Sequence, residues 1–114
     1  MSTVTFESIQ NPKKIKEKLV KILLDVIILT MLTKEPQYGY KLIADIHLQF
    51  GVFLSPGTLY PFLYDLEAKG FLTSNEESRR KVYTLTDKGQ KEVLTINRQY
   101  KSNISEIFQV LDNI

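Results

Sequence analysis

The chain has 114 residues, 43% hydrophobic and 25% charged, with a net charge of +2. These values suit one globular domain and exclude wholesale disorder. With no Cys and a single His, a disulfide framework and a thiolate metal site are excluded, and a multi-His metal centre or Ser-His catalytic pair has no basis.

Residues 1–10 show no periodicity, and residues 1–11 read as a flexible arm. They carry no signal-peptide pattern. The longest apolar stretch, Ile22 to Leu32, is interrupted by Asp25 and falls well short of the ~20 residues of a membrane span. A soluble, cytoplasmic chain with no membrane partner is expected.

Asn11-Pro12 reads as a helix start, with Asn as N-cap and Pro at the first position. Ile15, Leu19, Ile22, Val26 and Leu29 form one apolar stripe. A single helix ending before Pro36 is expected. Lys13, Lys14, Lys16, Lys18 and Lys21 lie along it against one acid, Glu17. They either extend a positive surface or form a solvated face.

A second helix is expected from Gly39 or Tyr40 to Phe50. Leu42, Ile43, Ile46 and Phe50 should face inward, and Gly51 should cap the end. Tyr40 is expected to pack as a core aromatic. Tyr38 and Lys41 are placed to meet phosphates. His47 is read as a partly buried structural side chain, since no second His or Cys joins it.

Ser55-Pro56 repeats the helix-start signal. Leu59, Phe62, Leu63 and Leu66 give the third helix its inner face, and Lys69-Gly70 closes it. Its other side carries Gly57, Thr58, Tyr60, Pro61, Tyr64 and Asp65. Hydroxyl and phenol groups near a helix N-terminus suit phosphates or base edges. Tyr60 and Tyr64 could equally pack against neighbouring elements. Pro61 inside the helix removes a hydrogen bond to the Gly57 carbonyl, at a cost of about 3 kcal/mol.

Phe71–Ser74 and Lys81–Leu85 read as a hairpin around a turn at Asn75–Ser78. Arg79-Arg80-Lys81 stands where the tip enters the second strand. Three adjacent cations suit phosphates or a minor groove, or else form a charged edge that deters strand pairing. Thr86 or Asp87 then caps a long helix to the chain end, with Gln90 at capping-box spacing from Asp87. Its seam of Val93, Ile96, Tyr100, Ile104, Ile107, Leu111 and Ile114 needs a partner. A second copy, meeting Ile15, Leu19, Ile22 and Phe108 as well, is the economical one; the other reading is that the helix folds back on its own domain. Tyr100 and Phe108 could instead line a pocket.

The predicted class is mostly α (α+β): a winged helix-turn-helix domain over 12–86 with a two-stranded wing, followed by a dimerisation helix over 87–114. Leu24-Asp25 is followed by Pro36-Gln37-Tyr38-Gly39-Tyr40, then by Leu54-Ser55-Pro56-Gly57-Thr58-Leu59-Tyr60-Pro61. Leu66-Glu67-Ala68-Lys69-Gly70 and Tyr83-Thr84-Leu85-Thr86-Asp87-Lys88-Gly89 complete the set. In these motifs and their order the chain resembles the PadR family of transcriptional regulators.

The resemblance covers about residues 22–95 and is closest to the compact subgroup with a single terminal helix. It implies a homodimer on operator DNA, usually a repressor. It further implies recognition contacts from Ser55, Thr58 and Tyr60, and wing contacts from Arg80 and Lys81. The chain departs from the family at the wing tip, where Glu76-Glu77-Ser78-Arg79 replaces a Gly-Arg-Pro run. Thr84 stands where a basic residue is common. It also lacks the Trp with which some members bind flat aromatic compounds.

The expected DNA-facing set is Tyr38, Lys41, Ser55, Gly57, Thr58, Tyr60, Pro61, Tyr64, Arg79, Arg80 and Lys81. Two-fold symmetry predicts a palindromic site with half-sites ~34–36 Å apart. The alternative is a winged-helix protein-interaction module without specific DNA binding. No metal, cofactor or catalytic set is expected, and the sequence names no effector.

Overall fold

A computed structural model describes residues 11–114, so the arm expected over 1–10 lies outside the described residues. The order is α1 (Pro12–Ile22), α2 (Leu24–Leu32), β1 (Gln37–Tyr38), α3 (Gly39–Phe50), α4 (Pro56–Ala68), β2 (Leu72–Glu77), β3 (Arg80–Leu85) and α5 (Asp87–Asp112).

Asn11 caps α1, its side-chain oxygen accepting from the Lys13 N–H at 3.0 Å. The single first helix expected from periodicity is in fact two, bent at Leu23 (φ −93°, ψ 13°). Local hydrogen bonding explains the bend. The Val26 N–H donates to the Asp25 carboxylate at 2.8 Å and so leaves the Ile22 carbonyl. That carbonyl accepts instead from the Tyr100 hydroxyl of α5 at 3.3 Å. Tyr100 also donates to Asp25 Oδ2 at 3.2 Å.

The core lies between α2, α3, α4 and the sheet. Leu24, Ile28 and Leu29 meet Leu42, Ile46, Leu54, Leu59, Leu63 and Leu72, all fully buried. Fully burying one such side chain stabilises by about 1.5–3 kcal/mol. Helix α4 ends in a Schellman arrangement with Gly70 left-handed at φ +84°. The Phe71 N–H reaches Leu66 O at 3.0 Å and the Gly70 N–H reaches Glu67 O at 2.9 Å.

The sheet has three antiparallel strands in the order β1-β3-β2. β1 is not foreseen from sequence, because two residues offer no alternation to read. The expected turn over Asn75–Ser78 is also displaced. β2 runs to Glu77, and the hairpin tip is Ser78-Arg79, both with positive φ (51° and 65°). That is a two-residue type I′ turn built without glycine, matching the twist of the strands it joins.

Thr86 caps α5, accepting from the Gly89 N–H at 3.0 Å, and its hydroxyl donates to the Gly70 carbonyl at 2.7 Å. The capping role thus falls to Thr86 and not to Asp87. Gly89 lets α5 dock closely: a Cβ there would overlap the Phe71 carbonyl oxygen and lie 2.6 Å from Leu85 Cδ1. The 26 residues of α5 span ~39 Å at 1.5 Å per residue. The molecule is elongated to 53 × 29 × 27 Å.

The seam of α5 is divided. Val93 is buried in its own domain's core, and Ile96 packs partly against it. Tyr100 is tied to α1 and α2 of its own chain. These three, expected at a dimer contact, are taken up internally because Gly89 brings the first half of α5 onto the domain. From Lys101 onward every residue is exposed, Ile104, Ile107, Phe108 and Leu111 among them.

Candidate nucleic-acid interface

Ser55 and Thr58 begin the exposed face of α4. The Ser55 hydroxyl accepts from the Thr58 N–H at 3.2 Å and donates to Thr58 Oγ1 at 3.1 Å. Ser55 is therefore an N-cap, worth about 1 kcal/mol, and Thr58 keeps its own O–H as a donor. A Cβ on Gly57 would meet only Ser55 Oγ, at 3.8 Å. Packing does not require glycine there, and its absent side chain lets another surface approach the helix. Pro61 and Tyr64 are exposed, Tyr64 at 74%. Helix α4 runs unbroken through Pro61.

Tyr60 is half-buried and joins two parts of this surface. Its ring lies against Gly39 at the start of α3, with the Tyr40 ring 6.2 Å away in an edge-on arrangement. Burial, and then the neighbouring Tyr40, raise the Tyr60 pKa. Tyr40 corrects an expectation. It is 64% exposed and not a core residue, because Gly39 takes the inward position beside Tyr60. His47 is likewise exposed. It stands in the last turn of α3.

Tyr38 continues the line to the wing. The Arg80 guanidinium lies 4.2 Å from its ring centroid, a cation–π contact worth about 0.5–1 kcal/mol at an exposed site. β1 makes this possible, since Tyr38 pairs with Val82 on β3. Tyr60, Gly39, Tyr40, Tyr38 and Arg80 thus form one connected track from α4 to the wing. Lys41 is exposed at the side of this track and held by Asp45 at 2.9 Å. Ser74 donates to Glu67 at 2.7 Å and fixes β2 on α4. Beneath them Tyr83 is buried; desolvation, then Tyr60 and Glu67, raise its pKa.

The wing cations are not three equal free charges. The register sets Glu76 opposite Lys81 and Glu77 opposite Arg80. Neither pair closes to within 4 Å among the described residues, and the Arg80 guanidinium rests on Tyr38. Arg79, at the tip, has no residue across from it in the ladder. Sequence reasoning treated the acids as a separate tip. Reading Ser78-Arg79 as a two-residue turn supplies the signal that pairs them.

The transcriptional regulator PadR-like family matches this chain over residues 28–95. The transcriptional activator GvpE1 of Halobacterium salinarum is 40% identical over 74 residues, which are 64% of this chain and 39% of that protein. The chain thus spans about two fifths of the activator it matches. A transcriptional regulator from Clostridium thermocellum superposes with a TM-score of 0.72 at 26% identity, covering 81% of this chain and 93% of that one. A PadR family transcriptional regulator from Eggerthella lenta gives a TM-score of 0.72 at 28% identity, covering 82% and 86%.

Proposed function

The chain belongs to the transcriptional regulator PadR-like family, and from that premise we propose that it binds double-stranded DNA as a homodimeric regulator of transcription. One observation carries this reading: the connected track from Tyr60, one helical half-turn past Thr58 on α4, through Gly39, Tyr40 and Tyr38 to Arg80. It joins hydroxyl donors on a helix N-terminus to a cation on an adjacent hairpin. In a winged helix those two elements meet the major groove and the flanking backbone.

In this reading α4 enters the major groove. Gly57 permits close approach, and Thr58, Tyr60 and Tyr64 present donors to bases or phosphates. Ser55 orders the helix start, and Pro61 shapes the exposed face. Arg79, Arg80, Lys81 and Lys41 supply the salt-dependent attraction, Arg79 most freely. The exposed apolar residues Ile15, Leu19 and Ile22 of α1 and Ile104, Ile107, Phe108 and Leu111 of α5 form the dimer contact. Two-fold pairing sets the palindromic operator, with half-sites ~34–36 Å apart. In this reading the DNA-binding domain runs over 12–86 and the dimerisation helix over 87–114, the first three turns of which also complete the core.

Family resemblance suggests repression. The matched relative in Halobacterium salinarum is named an activator. The test is fluorescence anisotropy with upstream and scrambled duplexes at several salt concentrations. Specific binding should exceed non-specific binding by at least about 4 kcal/mol. Arg80→Ala with Lys81→Ala should weaken all sequences and flatten the salt slope, whereas Thr58→Ala should mainly reduce discrimination. Absence of DNA binding at low salt overturns the proposal in favour of a protein-interaction module.

A further inference from the structure

The residue before α3 breaks a local rule. Tyr38 is the N-cap of that helix, in extended backbone at φ −74° and ψ 155°, and its side chain caps nothing. Ser, Thr, Asp or Asn there would satisfy a free N–H of the first turn, as Asn11 does for α1 and Ser55 for α4. Strand pairing does not ask for tyrosine either, because β1 meets β3 through its backbone. A choice that helix capping disfavours calls for a tertiary reason.

That reason is Arg80. Tyr38 pairs with Val82, so Arg80, two residues earlier on β3, is its diagonal neighbour on the same face of the sheet. Long side chains reach across that diagonal, and the guanidinium lies 4.2 Å from the ring centroid. On the other flank of Arg80 the register offers Glu77 of β2, yet the two do not close to within 4 Å among the described residues. The cation therefore sits on the ring and not on the acid. A carboxylate would engage N–H donors of the guanidinium, whereas a ring face attracts its charge and leaves them for another acceptor.

The ring also fixes where those donors stand. Tyr38 adjoins Gly39, against which Tyr60 of α4 packs, so Arg80 is held relative to α4 as well as to its own hairpin. An arginine already held gives up less rotamer freedom on meeting a phosphate. Among the described residues no ring holds Arg79 in this way.

We propose that Tyr38 is a positioning residue for DNA binding, its ring holding the Arg80 guanidinium ready for a backbone phosphate and its hydroxyl taking no part. This role rests on the DNA-binding reading and divides the labour within it: Tyr38 acts only through Arg80. Tyr38 then meets no phosphate itself, against the expectation from sequence.

The test is a double-mutant cycle on the full chain, read by fluorescence anisotropy with the upstream and the scrambled duplex at low salt. Phosphate contacts carry no sequence information, so both duplexes should respond alike. Tyr38→Phe keeps the ring and should bind within about twofold of wild type. Tyr38→Leu should weaken binding about fivefold, the worth of the cation–π contact. In the Arg80→Ala background the same change should cost nothing further. ¹H–¹³C NMR of the free chain reads the contact without DNA. The ring current of residue 38 should displace the Arg80 Hδ resonances in wild type and Tyr38→Phe, and not in Tyr38→Leu. Equal losses in Tyr38→Phe and Tyr38→Leu would overturn the proposal by putting the hydroxyl on the DNA. So would an equal cost of Tyr38→Leu with and without Arg80, or Arg80 Hδ resonances indifferent to residue 38. Should Tyr38→Leu not fold, Tyr38→Phe still decides between ring and hydroxyl. A wild-type chain that binds neither duplex sinks the DNA-binding reading and this role with it, whereas wild-type binding with Tyr38→Leu unaffected sinks the positioning role alone.

Discussion

Gly39→Ala exposes how the start of α3 and the candidate recognition helix depend on each other. Gly39 is buried at the first position of α3. A Cβ there would lie 2.5 Å from Tyr60 Oη, 2.6 Å from Cζ and 2.7 Å from Cε1. Ordinary carbon contacts are about 3.5–4.0 Å, so the ring must move by about 1 Å. Two effects compete. Alanine is a better helix former than glycine by about 0.5–1 kcal/mol. Overpacking a fitted contact costs about 1–3 kcal/mol. The clash involves two ring carbons and the hydroxyl oxygen of a side chain already flanked by Tyr40, so the cost prevails and a net loss of about 1–2 kcal/mol is expected.

The assay is urea denaturation at fixed protein concentration, since subunit association would otherwise shift the midpoint. Tyr60→Leu removes all three clashing atoms. In that background Gly39→Ala should become neutral or stabilising by about 0.5 kcal/mol, leaving a coupling energy of about 1–3 kcal/mol. Tyr60→Phe keeps Cζ and Cε1 and should not rescue. Equal effects of Gly39→Ala in the wild-type and Tyr60→Leu backgrounds would refute the packing argument. The same variant should reduce sequence discrimination, because the displaced phenol lies on the proposed groove face.

Three further outcomes are expected. Arg79→Gly should stabilise the hairpin by up to about 1 kcal/mol, since glycine takes positive φ without strain, yet it should weaken DNA binding; a parallel loss of both would show that Arg79 acts through folding. Tyr100→Phe should cost about 0.5–1.5 kcal/mol through the bonds to Asp25 and Ile22, read by denaturation. Burial, then Asp25 and its hydrogen bond, raise the Tyr100 pKa, so its stabilisation is present below the ordinary tyrosine value of about 10 and fades as pH rises above it; the variant should show a shallower alkaline loss, and an unchanged slope would contradict this. Ile107→Glu should yield a folded monomer in sedimentation equilibrium, because residue 107 is 56% exposed and outside the core, whereas a persisting dimer would place the interface elsewhere.

Much of the exposed face of α4 is legible in the sequence for local reasons. Ser55-Pro56 and Asn11-Pro12 announce helix starts through capping chemistry that needs only neighbouring residues. The inner face of α4 followed from the spacing of Leu59, Leu63 and Leu66, which are buried as expected. The exposure of Thr58, Pro61 and Tyr64 followed from the same periodicity. His47 is misread because Ile46 and Leu48 flank it in sequence, while burial on a helix depends on residues three and four away; Tyr40 is misread because Gly39, with no side chain to signal it, takes the inward position beside Tyr60. The turn expected over Asn75–Ser78 is displaced for a different reason: the register that sets Glu76 and Glu77 opposite Lys81 and Arg80 follows from the two-residue turn at Ser78-Arg79, which has no glycine to announce it.

Local signals, then, determined the caps, the helical faces, the presence of a hairpin and the order that makes a winged helix. Tertiary structure alone decided three matters, each a contact between distant segments. Gly39 and Tyr60 meet across 21 positions of chain, so the sequence around either residue carries no sign of their fit. Tyr100 takes the Ile22 carbonyl and bends the first helix, a competition invisible to any helical periodicity. Gly89 seats α5 on the Phe71 carbonyl, which turns the first part of an apparently uniform seam inward and leaves only its end for a partner. Hydrophobic spacing says that a face must be covered; the packing of remote backbone and side chains says by what.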